Sequence, residues 1–162
     1  MEKRFLALSL LSAGLVISGI STTQAASTAS LDVMATVVSA CEIDVVPIDF
    51  GTYDGMQINT TGEVSVNCNA GVPYAVALDA GLNSDGANRL MSDGVGNMLP
   101  YRLTYTGADW GDTGVTDTFP GDPVAGVGIG TLEAYTVEAM VFPNQTAAPG
   151  VYTDTITVTV QF

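Results

Sequence analysis

LDVMATVVSACEIDVVPIDFGTY, residues 31–53, decides the class of fold. From Leu31 the odd positions run Leu31, Val33, Ala35, Val37, Ser39, Cys41, Ile43, Val45 in one unbroken alternating phase. The phase breaks near Pro47, after which Val46, Ile48 and Phe50 carry the other one. A period of two puts alternate side chains on one face, the mark of a half-buried β-strand. The part before Cys41 is long enough to be a complete strand by itself, behind a few flexible residues, 26–30. Such a strand either opens the domain's own sheet or is destined for another molecule, and the periodicity is the same in both cases.

The same alternation recurs downstream. Val64, Val66 and Cys68 share a face, as do Tyr74, Val76 and Leu78. Leu99, Tyr101, Leu103 and Tyr105 form a third set, and Tyr135, Val137, Ala139 and Val141 a fourth. The closing run VYTDTITVTVQF, residues 151–162, turns Ile156, Val158, Val160 and Phe162 one way and Thr155, Thr157, Thr159 and Gln161 the other. Asp54-Gly55, Asp85-Gly86, Asp93-Gly94, Gly121-Asp122-Pro123 and Pro149-Gly150 separate the runs with turn chemistry. No stretch after residue 25 sustains a helical period. About seven short antiparallel strands in one core-sized domain predict an all-β sandwich. The glycine- and aspartate-rich stretches 80–97 and 107–130 read as connecting loops or irregular edges.

Lys3 and Arg4, the apolar run 5–20 and Thr23-Gln24-Ala25 have the layout of a secretory signal cleaved after Ala25. The run is short for a spanning helix and lacks a basic cluster behind it. Cleavage would leave 137 residues, enough for one core. Losing Glu2, Lys3 and Arg4 leaves 16 acidic residues against Arg89 and Arg102, a net charge of −14, with no lysine or histidine. Such a body repels nucleic acid and anionic lipid, and no insertion of the mature chain into a membrane is expected. Two cysteines in an exported chain, Cys41 and Cys68, imply a disulfide with a single possible pairing.

Three pieces of the sequence resemble the spore coat protein U domain family, whose members include subunits of archaic, Csu-type chaperone–usher pili. The first is the alternating extension followed by Cys41 and Asp49-Phe50-Gly51-Thr52-Tyr53. The second is GEVSVNCNAGVPYAVAL around Cys68, and the third is the ending PGVYTDTITVTVQF. The resemblance spans essentially all of the chain after the leader, with the middle, 80–130, matching loosely. It implies an immunoglobulin-like β-sandwich lacking one strand, built as a signal peptide (1–25), an N-terminal donor-strand extension (26–40) and a pilin domain (41–162). It also implies partners: a periplasmic chaperone that first fills the vacant position, an outer-membrane usher, and identical or related pilin subunits. The donor residues would be Leu31, Val33, Ala35 and Val37. The acceptor groove and chaperone contact would include Ile156, Val158, Val160 and Phe162, with the Phe162 carboxylate as a chaperone anchor. The chain would then be a subunit of a pilus on the surface of a Gram-negative bacterium, acting in attachment and biofilm formation. The alternative within the family is a surface or spore-coat structural protein that forms no pilus.

Other classes fit less well. Without histidine, and without lysine after the leader, Ser-His-Asp, Cys-His and lysine-based catalysis have no residues to use. Paired carboxylates remain among Asp79, Asp85, Asp93, Asp109, Asp112, Asp117 and Asp122, though aspartates beside glycines usually shape loops. The oxygen-rich loops NSDGANRLMSDG and DWGDTGVTDTFPGD would suit calcium but lack EF-hand spacing, and Trp110 could stack on a sugar. An outer-membrane barrel needs more long strands than these loops leave room for. No enzyme activity and no cofactor are expected.

Overall fold

The computed structural model describes residues 27–162. The expected leader, 1–25, lies outside them. The chain divides into two units, Met1–Thr36 and Val37–Phe162. Residues 27–40 carry no strand, so the complete strand expected before Cys41 begins only at the cysteine itself.

The second unit is all β. Its strands are β1 (Cys41–Val46), β2 (Ile58–Cys68), β3 (Pro73–Leu78), β4 (Arg89–Ser92), β5 (Met98–Tyr105), β6 (Ala108–Asp109), β7 (Val124–Val127), β8 (Glu133–Val141) and β9 (Val158–Gln161). One sheet has the order β1-β2-β8-β5-β4, with β6 beside β5, and the other β7-β3-β9. All ladders are antiparallel. An immunoglobulin-like sandwich sets strands A, B, E and D in one sheet and C, F and G in the other. Here β1, β2, β8 and β5 take the A, B, E and D places, and β3 and β9 take C and F. Among the described residues no strand takes the place of G.

The alternating sets named from sequence become the core. Val64, Val66, Cys68, Tyr74, Val76, Leu78, Leu99, Tyr101, Leu103, Val137, Ala139 and Val141 are all buried. Cys41 and Cys68 are cross-strand partners in the β1–β2 ladder and are joined by a disulfide. Closing a loop of this length contributes about 3–4 kcal/mol, mainly by restricting the unfolded chain. Gly62 lets the chain leave β1: a Cβ there would lie 2.6 Å from Ile48 Cγ1 and 2.9 Å from the Val46 carbonyl oxygen.

The stretches 80–97 and 107–130 hold the short strands β4, β6 and β7 at the sheet margins. They are organised by buried polar groups that periodicity does not reveal. Arg89 donates Nε–H to the Asp79 carbonyl (2.8 Å) and Nη2–H to those of Leu78 (2.7 Å) and Trp110 (2.8 Å). Trp110 is itself fully buried and donates Nε1–H to the Val76 carbonyl at 2.8 Å, so it is not available to stack on a sugar. The fully buried Asp112 carboxylate accepts the backbone N–H groups of Thr118 (3.0 Å) and Phe119 (2.7 Å) and both the Thr116 and Thr118 hydroxyls.

Burial pushes the Asp112 carboxyl upward, but these hydrogen bonds outweigh it and hold the group below its ordinary value. A depressed carboxyl stabilises the fold above about pH 4 and loses that contribution as pH falls through its folded value. Asp112→Ala is expected to cost about 1–3 kcal/mol at pH 7, because it strands buried N–H donors. It should also flatten the acid limb of the stability profile, read as urea midpoints between pH 7 and pH 2.5.

Candidate functional site: an uncovered groove between two sheet edges

The vacant G position is a groove with two unpaired walls. One wall is β1, which pairs with β2 on one side only, and the chain that continues through Pro47, Ile48 and Phe50. The other is the segment 152–158 leading into β9. Both line a cavity of about 440 Å³ floored by Val64, Leu78, Met91, Tyr101, Leu103 and Val137, all core residues.

Backbone direction shows what the second wall offers. The Thr155 carbonyl accepts from Leu82 N–H at 3.1 Å and that of Thr157 from Asp79 N–H at 3.1 Å. The Thr153 N–H and carbonyl both bond to Ser92 at 2.9 Å. Odd positions therefore turn their peptide groups toward β3 and the chain that follows it. By alternation Asp154, Ile156, Val158 and Val160 turn theirs toward the vacant edge. The side chains of Tyr152, Asp154, Ile156, Val158 and Val160 are half-buried on the core face, whereas Thr153, Thr155 and Thr157 are exposed.

The first wall carries the clearest mark. Ile43 and Val45 stand opposite Val66 and Val64, which are buried. They nevertheless remain 43% and 49% exposed, because nothing in the facing sheet covers them. These are core positions without the other half of a core.

Two charged residues line the groove, Glu63 and Asp154, and the Asp154 carboxylate is fully engaged. Asp154 Oδ1 accepts Leu82 N–H (3.0 Å), Asn83 N–H (3.1 Å) and Asn83 Nδ2–H (3.2 Å), and Oδ2 accepts the Tyr101 hydroxyl at 2.7 Å. Burial, then the hydrogen bond to Asp154, pushes the Tyr101 hydroxyl up, so it stays protonated and donating. These bonds tie the segment to the 79–83 turn and hold its free edge straight.

Of the acceptor residues expected from sequence, Ile156 and Val158 line the cavity. Val160 packs half-buried against the core beyond it, and Phe162 lies past the end of β9, 56% exposed. Val45, Val46, Ile48 and Phe50 complete the opposite wall. Their two apolar phases were visible in the sequence, but which strand would lack a neighbour was not. The expected donor residues Leu31, Val33 and Val37 are exposed, at 87%, 85% and 84%, and Ala35 is exposed as well.

Apart from Asp122, the aspartates raised as carboxylate or calcium candidates have side chains engaged in local structure. Asp85 caps Ala87 and Asn88, Asp93 caps Val95 and Asn97, and Asp79 holds Gly81 and Thr157. Asp109 pairs with Arg102, and Asp117 accepts from Gly114. Among the described residues no group of three or more His, Cys, Asp or Glu side chains converges as a metal site.

A family model described as Spore Coat Protein U domain matches residues 27–159. The fold is similar to the CsuC–CsuE chaperone–tip adhesion subunit pre-assembly complex from archaic chaperone–usher Csu pili of Acinetobacter baumannii. The TM-score is 0.58 at 24% identity, over 78% of this chain and 40% of that one. The chain thus spans less than half of that neighbour's length. A looser likeness is to HdaB, the minor tip subunit of the E. coli Hda pilus, with a TM-score of 0.39 and 17% identity over 73% of this chain and 80% of that one. No curated protein gives a significant match.

An uncovered wall makes an asymmetric prediction. In the isolated chain, Val45→Ala should cost less than about 1 kcal/mol, since its side chain is already half in water. Leu103→Ala, at the groove floor, should cost about 2–5 kcal/mol. Denaturant titration of the two variants checks the contrast.

Proposed function

The chain belongs to the Spore Coat Protein U domain family, and from that premise we propose that it is a structural subunit of a chaperone–usher pilus, joined to its neighbours by β-strand exchange. The observation that carries the proposal is the half-bare inward face of β1, Ile43 and Val45, across a groove from the free peptide edge of residues 154–160. An unpaired edge beside open core is a standing invitation to aggregate, and proteins do not keep one without a use for it. An added strand satisfies both edges at once and puts alternate side chains into the cavity.

In this mechanism the strand is Leu31, Val33, Ala35 and Val37 of the next copy. Burial at roughly 1.5–3 kcal/mol per large apolar side chain gives each joint several kcal/mol, with Ala35 contributing least. Residues 26–40 can span about 50 Å extended, and the edge from Tyr152 to Val160 runs about 30 Å, so a linker remains. The Cys41–Cys68 disulfide stands just behind the exit of that linker, and tension on a fibre would meet a covalent staple there. Before assembly a periplasmic chaperone would shield the groove, and an outer-membrane usher would exchange its strand for the donor. Export through the periplasm to a Gram-negative cell surface, attachment and biofilm formation follow from this assignment.

Deleting residues 27–39 and adding back a peptide of residues 27–40 tests it. The truncated chain is expected to bind the peptide in trans, one to one, with a raised melting temperature. A Val33→Asp peptide should bind at least about a hundredfold more weakly, since it places a charge in an apolar pocket. A truncated chain that loses its own stability, or that ignores the peptide, would mean a self-sufficient surface or coat protein.

A further inference from the structure

β7 is the far edge of its sheet. In the order β7-β3-β9 the groove borders β9, and β7 has β3 as its one neighbour among the described residues. Pro73, which has no N–H, stands opposite Val127, so the hydrogen-bonded pair is the next one, Tyr74 with Gly126. Gly128 also bonds inward, donating to the Val72 carbonyl (2.8 Å) and accepting from Gly71 N–H (2.7 Å). Gly130 N–H donates to the Cys68 carbonyl at 3.1 Å. By alternation Ala125, Val127 and Ile129 turn their N–H and C=O groups to the open side.

The side chains along this edge are apolar and in water. Val127 and Ile129 are 55% and 62% exposed, and Leu132 beyond them 63%. Exposed sheet edges are ordinarily blunted by charge or proline. From Val124 to Leu132 the sequence VAGVGIGTL has neither, and shortness is the protection left to it. The gap in charge extends across the whole sheet. Segments 64–78, 123–132 and 155–162 carry no acidic or basic side chain, although the chain holds 17 acidic residues.

The occupant that fits such an edge is a second copy of the chain. Copies this acidic repel wherever their charged surfaces meet, and this edge is free of that cost. A lysine- or arginine-rich partner would find no anion along it. The edge also complements itself. A twofold axis through Val127 pairs two copies antiparallel, sets Val127 against Val127, and sets the small Ala125 against the large Ile129. The outward peptide groups of one edge then meet those of the other, and β9-β3-β7 continues into β7-β3-β9 of the second copy.

We propose that the β7 edge is a self-association surface, on which a second copy pairs through Ala125, Val127 and Ile129. So short an edge falls below the about 1,200 Å² of a stable one-to-one complex, so two lone copies hold each other weakly. Copies already joined in a fibre would repeat the contact once per subunit and gain by avidity. The contact uses the edge of the sheet opposite the groove, so it is compatible with strand exchange and independent of it.

Cross-linking of Val127→Cys with a short bismaleimide tests the pairing, in the exported full chain with any partner that copurifies. Both native cysteines are held in the disulfide, so the new thiol is the one that reacts. Opposed residues of a hydrogen-bonded pair have Cα atoms about 5.5 Å apart, well within reach of the reagent. The covalent dimer should exceed by at least about tenfold that of Thr136→Cys, an exposed position in the middle of the other sheet. Adding Ile129→Glu should cut the Val127→Cys dimer about tenfold at unchanged melting temperature, because it sets a carboxylate against an apolar edge. The dimer should persist when Val33→Asp is added to weaken strand donation, which separates this contact from the fibre. Equal cross-linking at position 136, no dimer at 127, a dimer indifferent to Ile129→Glu, or one lost with Val33→Asp would each overturn the proposal. So would a Val127→Cys chain that stays monomeric and floats with phosphatidylcholine vesicles, since its edge would then meet lipid.

Discussion

One vacancy governs this molecule: a strand position in an otherwise closed sandwich where hydrogen-bonding edge and apolar core lie open side by side. Each is costly alone, since unpaired peptide groups at a dry site and apolar side chains in water both raise free energy. Together they make a template that a single alternating strand can satisfy. Ile43 and Val45 on one wall and the peptide groups of Asp154, Ile156 and Val158 on the other are complementary halves of an interaction whose middle is absent.

Such a vacancy has to be held open, because a soft sandwich would collapse across it. The structure braces it from behind with polar groups. Asp154 ties the groove wall to the 79–83 turn and to Tyr101. Arg89 locks the carbonyls of Leu78, Asp79 and Trp110 behind that turn, and Asp112 organises the loop that carries Phe119 over the guanidinium. The disulfide fixes β1 to β2 at the end where the N-terminal segment leaves. These contacts supply rigidity to the two edges without filling the space between them.

Much of this was legible in the sequence, for a simple reason. Period-two alternation in Val64–Cys68, Tyr74–Leu78, Leu99–Leu103 and Val137–Val141 reports directly which side chains meet in the core. The cysteine pairing followed from having only two. What stayed hidden depends on neighbours rather than on period. The alternation of residues 31–45 is uniform, yet only Cys41–Val46 forms a strand in this chain. Phe162 shares the phase of Ile156 and Val158 but lies past the last ladder pair and outside the cavity. The role of Trp110 was likewise open: in a polar, glycine-rich loop it could meet solvent or core, and its Nε1–H bond to Val76 decides for the core. Arg89 gave no signal at all, since a lone arginine in a loop-like stretch reads as surface.

Hydrogen exchange at the amides of Asp154, Ile156, Val158 and Val160 tests the vacancy most directly. In the chain stripped of partners these amides should exchange fast while those of Val76 and Val137 remain protected, and they should become protected once a donor segment is supplied in trans. Protection already present in the lone chain, lost on removal of its own residues 31–38, would contradict the account. That result would place the N-terminal segment inside its own fold.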